Sequence, residues 1–154
     1  MADERIGVVG PGRMGLAMVK HLIAKGYDVA VTDISPEQVA KAEALGATGR
    51  ANAADLGKDR SIVIIAVGFD EETIDATLGK NGLLETMQPG TVIAISSTSS
   101  PDTVRMIATK AAGQSFIHVQ SHHQAGRFPR MHPFSLENLL RVTGHVMIPM
   151  ARCF

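Results

Sequence analysis

The hexapeptide Gly10-Pro11-Gly12-Arg13-Met14-Gly15 constrains this chain more than any other feature, because of what stands on either side of it. Before it, Arg5 to Gly10 is a short apolar run ending in glycine, the pattern of a buried strand. After it, Leu16, Val19, Leu22 and Ile23 recur at helical spacing until Gly26 stops the helix. With 15 glycines in 154 residues the G-x-G-x-x-G spacing alone is weak. Its place between a strand and a helix carries the inference, because that context opens a βαβ unit.

The rest of the first 118 residues repeats the alternation. Asp28 to Asp33 reads as a second strand. Ser35-Pro36-Glu37-Gln38 predicts a helix with an N-cap serine, a proline in its first turn and a capping-box glutamine, ending near Gly46. Ser61 to Val67 is apolar almost throughout, so both of its faces should be covered. Asp70 reads as the cap of a short helix through Leu78, and Pro89-Gly90 turns the chain into a strand over Thr91 to Ser96. Ser100-Pro101 starts a helix that stops near Gly113, and Ser115 to Val119 is a last strand. Strands alternating with helices pair in parallel through right-handed crossovers. The expected fold is therefore α/β, a doubly wound Rossmann-type parallel sheet with helices on both faces. In such a sheet ligands bind outside the carboxyl ends of the strands, where strand order reverses.

Composition divides the chain. Up to His118 there are 17 alanines and 14 acidic against 11 basic residues; from Val119 onward there are two alanines, one acidic residue (Glu137) and four arginines. The expected organisation is a dinucleotide-binding domain over residues 1–118 and a divergent tail over 119–154. The 15 basic and 15 acidic residues balance, which argues against nucleic acid or an anionic membrane surface as a partner. No apolar run approaches the roughly 20 residues that span a bilayer. The acidic Met1-Ala2-Asp3-Glu4 start argues against a signal peptide, and a single cysteine, Cys153, fits a reducing cytoplasm.

The loops after the strands carry the chemistry. Gly10 permits the tight turn, Gly12 lets backbone approach a pyrophosphate, and Gly15 allows close helix–strand contact. The positive end of the helix would then face the phosphates, worth about 0.3 to 2 kcal/mol. Asp33 ends the second strand 23 residues after Gly10, where a dinucleotide fold places the carboxylate that accepts bonds from the adenosine ribose hydroxyls. A carboxylate there repels a 2′-phosphate, so NAD is expected in preference to NADP. Arg13 lies on the pyrophosphate side and does not alter this. Val67, Gly68 and Phe69 are placed to wall the nicotinamide-side ribose, and Thr98 to donate to nicotinamide or substrate.

Gly10-Pro11-Gly12-Arg13-Met14-Gly15-Leu16-Ala17-Met18 resembles the β-hydroxyacid dehydrogenases, a family that includes 3-hydroxyisobutyrate dehydrogenase, tartronate semialdehyde reductase and 6-phosphogluconate dehydrogenase. The likeness continues through Gly26-Tyr27-Asp28-Val29, Gly82-Leu83-Leu84, Pro89-Gly90-Thr91-Val92 and Ser97-Thr98-Ser99-Ser100-Pro101. It covers about residues 5 to 118. The resemblance implies that Gly10, Pro11, Gly12, Arg13, Met14 and Gly15 hold the pyrophosphate and Asp33 the ribose. It further implies Val67, Gly68 and Phe69 at the middle of the cofactor and Thr98 at its nicotinamide end. NADP-using members tend to carry Asn-Arg-Ser or Asn-Arg-Thr where this chain has Asp33-Ile34-Ser35, in agreement with the charge argument. Many members have proline where Gly68 stands.

The likeness stops after the last strand. Members carry an Asp-Ala-Pro segment and a glycine-rich substrate loop; here the residues are Gln120-Ser121-His122-His123-Gln124-Ala125-Gly126-Arg127. The family's helical domain follows, with a catalytic lysine, and this sequence has no lysine after Lys110. A disrupted reading frame and a truncation with an unrelated extension both fit the change. His122, His123, His132 and Cys153 match no standard zinc spacing, so no metal is expected. Leu136, Leu139, Leu140 and Val142 predict one amphipathic helix packing on the sheet or on a second copy. Two functions from different classes follow. One is the cofactor half of an oxidoreductase acting on a small hydroxy acid or its semialdehyde, completed by a helical domain; the other is a nucleotide-binding module that catalyses nothing.

Overall fold

The computed structural model describes residues 4–97, 99–111 and 115–118, all within the unit Met1–Ser121. Among the described residues six strands, β1 (Arg5–Val9), β2 (Asp28–Thr32), β3 (Thr48–Gly49), β4 (Ile62–Ile65), β5 (Val92–Ile95) and β6 (Ser115–His118), form one sheet in the order β3-β2-β1-β4-β5-β6. Every pairing is parallel, and the central register sets Val8 of β1 opposite both Val31 of β2 and Ile64 of β4. The helices α1 (Arg13–Ala24), α2 (Pro36–Ala44), α3 (Ala53–Gly57), α4 (Asp70–Leu78) and α5 (Pro101–Lys110) fill the crossovers. α1 packs beside α2 and α4 beside α5, while α3 packs on a 3-10 turn over Leu83–Glu85.

The strands form where β-branched residues cluster, and Ile62 to Ile65 are buried on both faces as an all-apolar run requires. Leu56, Ile65, Leu83, Ile93, Ile95 and Ile107 are fully buried together between the sheet and its helices. Each such side chain contributes about 1.5 to 3 kcal/mol on leaving water. The strand order matters most for the site. From β1 the chain steps outward to β2 and β3, then returns to β4 and steps the other way. The loops leaving β1 and β4 therefore diverge, and a crevice opens between them.

At the opposite, amino ends of the strands, Arg60 is buried and gives its Nε and Nη2 to the two carboxylate oxygens of Asp59, at 3.0 and 2.9 Å. Its Nη1 reaches Asp28 Oδ2 at 3.0 Å, tying the start of β2 to the start of β4.

Several local expectations need correction. The strands stop one or two residues short of the apolar runs, and β3, α3 and the 3-10 turn were not foreseen. β3 is only two residues long and is held by pairing with Ala30 and Val31. α3 spans five residues under an Asn52 cap whose Oδ1 accepts the Asp55 N–H at 3.0 Å. Neither is long enough to show a period. Ser35 does hold the N-cap position of α2 with Pro36 behind it, but the capping box does not form. Its backbone N–H donates to Asp33 Oδ1 at 2.7 Å, so Gln38 Oε1 loses the donor it would have used and is left buried without a partner. Asp70 does not cap α4 either. Phe69 precedes the helix, and Asp70 directs its carboxylate across to α5.

Candidate functional site

The first strand-to-helix turn needs its glycines for distinct steric reasons. Gly10 has φ +80°, and a Cβ there would lie 2.8 Å from Val67 Cγ1 and 2.9 Å from the Ala66 carbonyl oxygen. A Cβ on Gly15 would lie 2.5 Å from the Gly10 carbonyl oxygen, so α1 starts in direct backbone contact with the turn. Gly12 differs. It is the N-cap of α1, with φ −70° and ψ −159°, and a Cβ there would meet nothing within 4 Å. Its lack of a side chain leaves the amide end of α1 open, with no side-chain cap to occupy the helix's first N–H groups.

Asp33 sits just past the end of β2, beside this turn. Its Oδ1 is held by the Ser35 N–H, which fixes the carboxylate and leaves Oδ2 for another donor. Gly10, Gly12, Asp33, Val67 and Gly68 line one groove of about 630 Å³ at the β1/β4 crevice. Ile34, Asn52, Asp75, Ala76, Lys80 and Asn81 line the same groove. Ile34 is 96% exposed, an apolar side chain offered to whatever lies beyond Asp33. Sequence reasoning passed over these residues. The usable signals were an isoleucine directly after the carboxylate and an asparagine, Asn52, in cap position.

Other expected residues lie off the groove. Pro11 and Gly15 are buried behind the turn, and Arg13 and Met14 are exposed on the first turn of α1. Phe69, 69% exposed, lines a second cavity of about 460 Å³ with Asp70, Ser99 and Ser100. Gly68 borders both cavities. Thr98, His122, His123, His132, Cys153 and the predicted helix around Leu139 lie outside the described residues.

The loops after β4 and β5 are tied together. Ser97 Oγ accepts the Val67 N–H at 3.0 Å and lies 3.3 Å from the Ile65 carbonyl oxygen. Glu72 Oε2 accepts the N–H groups of Gly68 and Phe69 at 2.8 and 3.1 Å, closing the start of α4. The carboxylate of Asp70 accepts the Ser100 N–H at 3.0 Å and the Thr103 hydroxyl at 3.0 Å. Hydrogen bonds from Ser100, reinforced by Thr103, hold the Asp70 carboxyl below the usual carboxylate range.

A glycine turn with an open helix N-terminus, a fixed carboxylate at the end of the neighbouring strand and a groove joining them match the needs of a dinucleotide. The family model for the NAD binding domain of 6-phosphogluconate dehydrogenase matches residues 5–121. The chain belongs to that family.

Within it, the chain is 28% identical over 110 residues to a probable mitochondrial 3-hydroxyisobutyrate dehydrogenase of Dictyostelium discoideum, covering 71% of this chain and 34% of that protein. It is 29% identical over 115 residues to an L-threonate dehydrogenase of Cupriavidus necator, covering 75% and 39%. The chain thus spans little more than a third of these relatives' length. The fold of a Mycobacterium tuberculosis 3-hydroxyisobutyrate dehydrogenase solved with L-serine superposes with TM-score 0.71 at 24% identity, over 76% of this chain and 40% of that one. Two structures of an imine reductase from Myxococcus stipitatus also superpose. The V8 variant, in complex with NAD+, has TM-score 0.67 at 24% identity, over 76% of this chain and 40% of that one. The other, in complex with NADP+, has TM-score 0.65 at 25% identity, over 74% and 39%. Residues 5–121 of this chain are thus the NAD-binding domain of a hydroxyacid dehydrogenase family member. Among the described residues no helix is long and apolar enough to cross a membrane.

Proposed function

We propose that the chain is the cofactor half of an NAD-preferring oxidoreductase that acts on the CH–OH group of a small 3-hydroxy acid or on its semialdehyde. The observation that carries this is the meeting of the open Gly12 amide end with the fixed Asp33 carboxylate in one groove. The N–H groups of Gly10 and Gly12 are spent on the carbonyls of Thr32 and Gly10, so these glycines shape the turn, and the first amides of α1, at its positive end, meet the pyrophosphate. Asp33 Oδ2 accepts the ribose hydroxyls and, as a charged group, disfavours a 2′-phosphate. Ile34 covers the adenine side, and Val67 and Gly68 form the wall toward the nicotinamide, where Thr98 follows in sequence. When bound, the nicotinamide ring supplies or accepts the hydride. The polypeptide's part is to orient it.

The family's catalytic lysine has no counterpart in this sequence, since no lysine follows Lys110, and Lys80 lines the groove that holds the cofactor in this reading. A positioned acid or base contributes about 10² to 10⁴ in rate, so the purified chain should bind cofactor and turn over almost nothing. A helical domain would complete it, and the single cysteine supports a cytoplasmic setting. Titrating the chain with NADH and NADPH, beside an oxidation assay against a panel of semialdehydes, tests the reading. Tighter NADH binding without turnover supports it. Equal affinities would remove Asp33 from the ribose, and no binding would remove the cofactor.

A further inference from the structure

Asp70 is the side-chain cap of neither helix it lies between. The start of α4 is already closed by Glu72, which takes the N–H groups of Gly68 and Phe69. The start of α5 already has its own cap, since Ser100 Oγ accepts the Thr103 N–H at 3.2 Å. What Asp70 adds is a bridge between the two. Its Oδ1 and Oδ2 lie 3.0 and 3.2 Å from the Ser100 nitrogen, and Oδ2 also takes the Thr103 hydroxyl. That hydroxyl in turn accepts a hydrogen bond from Ser100 Oγ at 3.0 Å. Bonds to a charged acceptor are the strong ones, and this one also sits at the positive end of α5. The neutral links between the same loops, Ser97 to Val67 and Ser99 to Thr73 at 3.4 Å, are individually weaker.

We propose that Asp70 is a positioning residue that locks the loops after β4 and β5 into one unit and so sets the nicotinamide end of the groove. This rests on the cofactor reading above. The two loops wall the second cavity, which meets the main groove at Gly68 and Glu71. The glycine turn and Asp33 belong to other strands and do not depend on the bridge. Loosening it should therefore disturb the nicotinamide half of the ligand and spare the adenosine half.

The test uses the full chain and two probes: NADH, followed by nicotinamide fluorescence, and ADP-ribose, which lacks the ring, followed by calorimetry. Asp70→Asn should raise the Kd for NADH about tenfold and lower the fluorescence change on binding, with the Kd for ADP-ribose kept within about twofold. Thr103→Val, which removes one of the bonds and leaves the charge, should act in the same direction more weakly and serves if Asp70→Asn does not fold. Asp70→Glu should restore part of the NADH affinity. Equal loss for both probes, or loss for neither, would overturn the positioning role while leaving the cofactor reading intact. Failure of the unmutated chain to bind either probe would overturn both.

Discussion

Replacing Gly12 with alanine separates what the glycine turn does for folding from what it does for a ligand. The backbone at Gly12 lies at φ −70° and ψ −159°, where any residue is comfortable, and the added methyl would meet nothing within 4 Å. Alanine is a poorer N-cap than glycine by up to about 1 kcal/mol. Stiffening the unfolded chain returns about 0.4 to 1 kcal/mol, so the two effects offset. Tm, read by circular dichroism, should move by less than about 5 °C. Binding should respond very differently. The methyl would project into the space through which phosphate oxygens reach the first amides of α1. Loss of hydrogen bonds to a charged group costs about 1.5 to 3 kcal/mol, or roughly 10- to 150-fold in Kd. Calorimetric titration with NADH reads that change directly. A Gly12→Ala protein that melts normally and binds NADH like the parent would refute the idea that the pyrophosphate sits on this helix end. A large fall in Tm would refute the claim that the space is open.

Gly15→Ala makes the complementary case: its Cβ would fall 2.5 Å from a backbone oxygen, and such overpacking costs about 1 to 3 kcal/mol, visible as a lower urea midpoint before any ligand is added. Asp33→Asn should narrow the NADH over NADPH preference, from about tenfold or more toward parity, because the negative charge is gone while Oδ1 can still hold the Ser35 N–H. Ile65→Ala, in the fully buried cluster, should cost about 2 to 5 kcal/mol by urea unfolding. Arg60 hydrogen-bonds Asp59 and holds its carboxyl below the usual range. That stabilisation is in place above about pH 4 and is lost as pH falls through the lowered native value. Arg60→Leu should therefore lower Tm most at neutral pH, and the gap to the parent should close in acid.

The elements legible in the sequence were those whose signal is repeated along several residues. The apolar run of β4, the 3.6-residue stripe of α1 and the glycine turn between strand and helix all have that property. What the sequence hid is what depends on partners far along the chain. β3 carries no pattern of its own and exists because β2 offers an edge. Asp70 stands where a helix cap usually stands, and nothing within its own segment tells that its partners are Ser100 and Thr103, some 30 residues on. The Ser35-to-Gln38 capping box failed for a local reason with the same lesson: a carboxylate two residues upstream competes for the same N–H and wins. In the groove, Gly10, Gly12 and Asp33 were readable from spacing. Asn52, Asp75, Lys80 and Asn81 come from loops and from a helix face that only the sheet order brings to the crevice.

A sheet that ends in a two-residue strand also gives a neighbouring molecule little to copy. The Arg50 N–H is spent inward on Val31, and the Gly49 N–H is taken by Glu43 Oε1 at 3.2 Å. An acidic side chain thus blocks the border where an intruding strand would seek its first hydrogen bond, and it sets a negative charge there as well. This is the protection against edge-to-edge aggregation that an open sheet needs at high concentration. It places the risk of clumping on this border at one carboxylate, so a change as small as Glu43→Val would convert a guarded border into a sticky one.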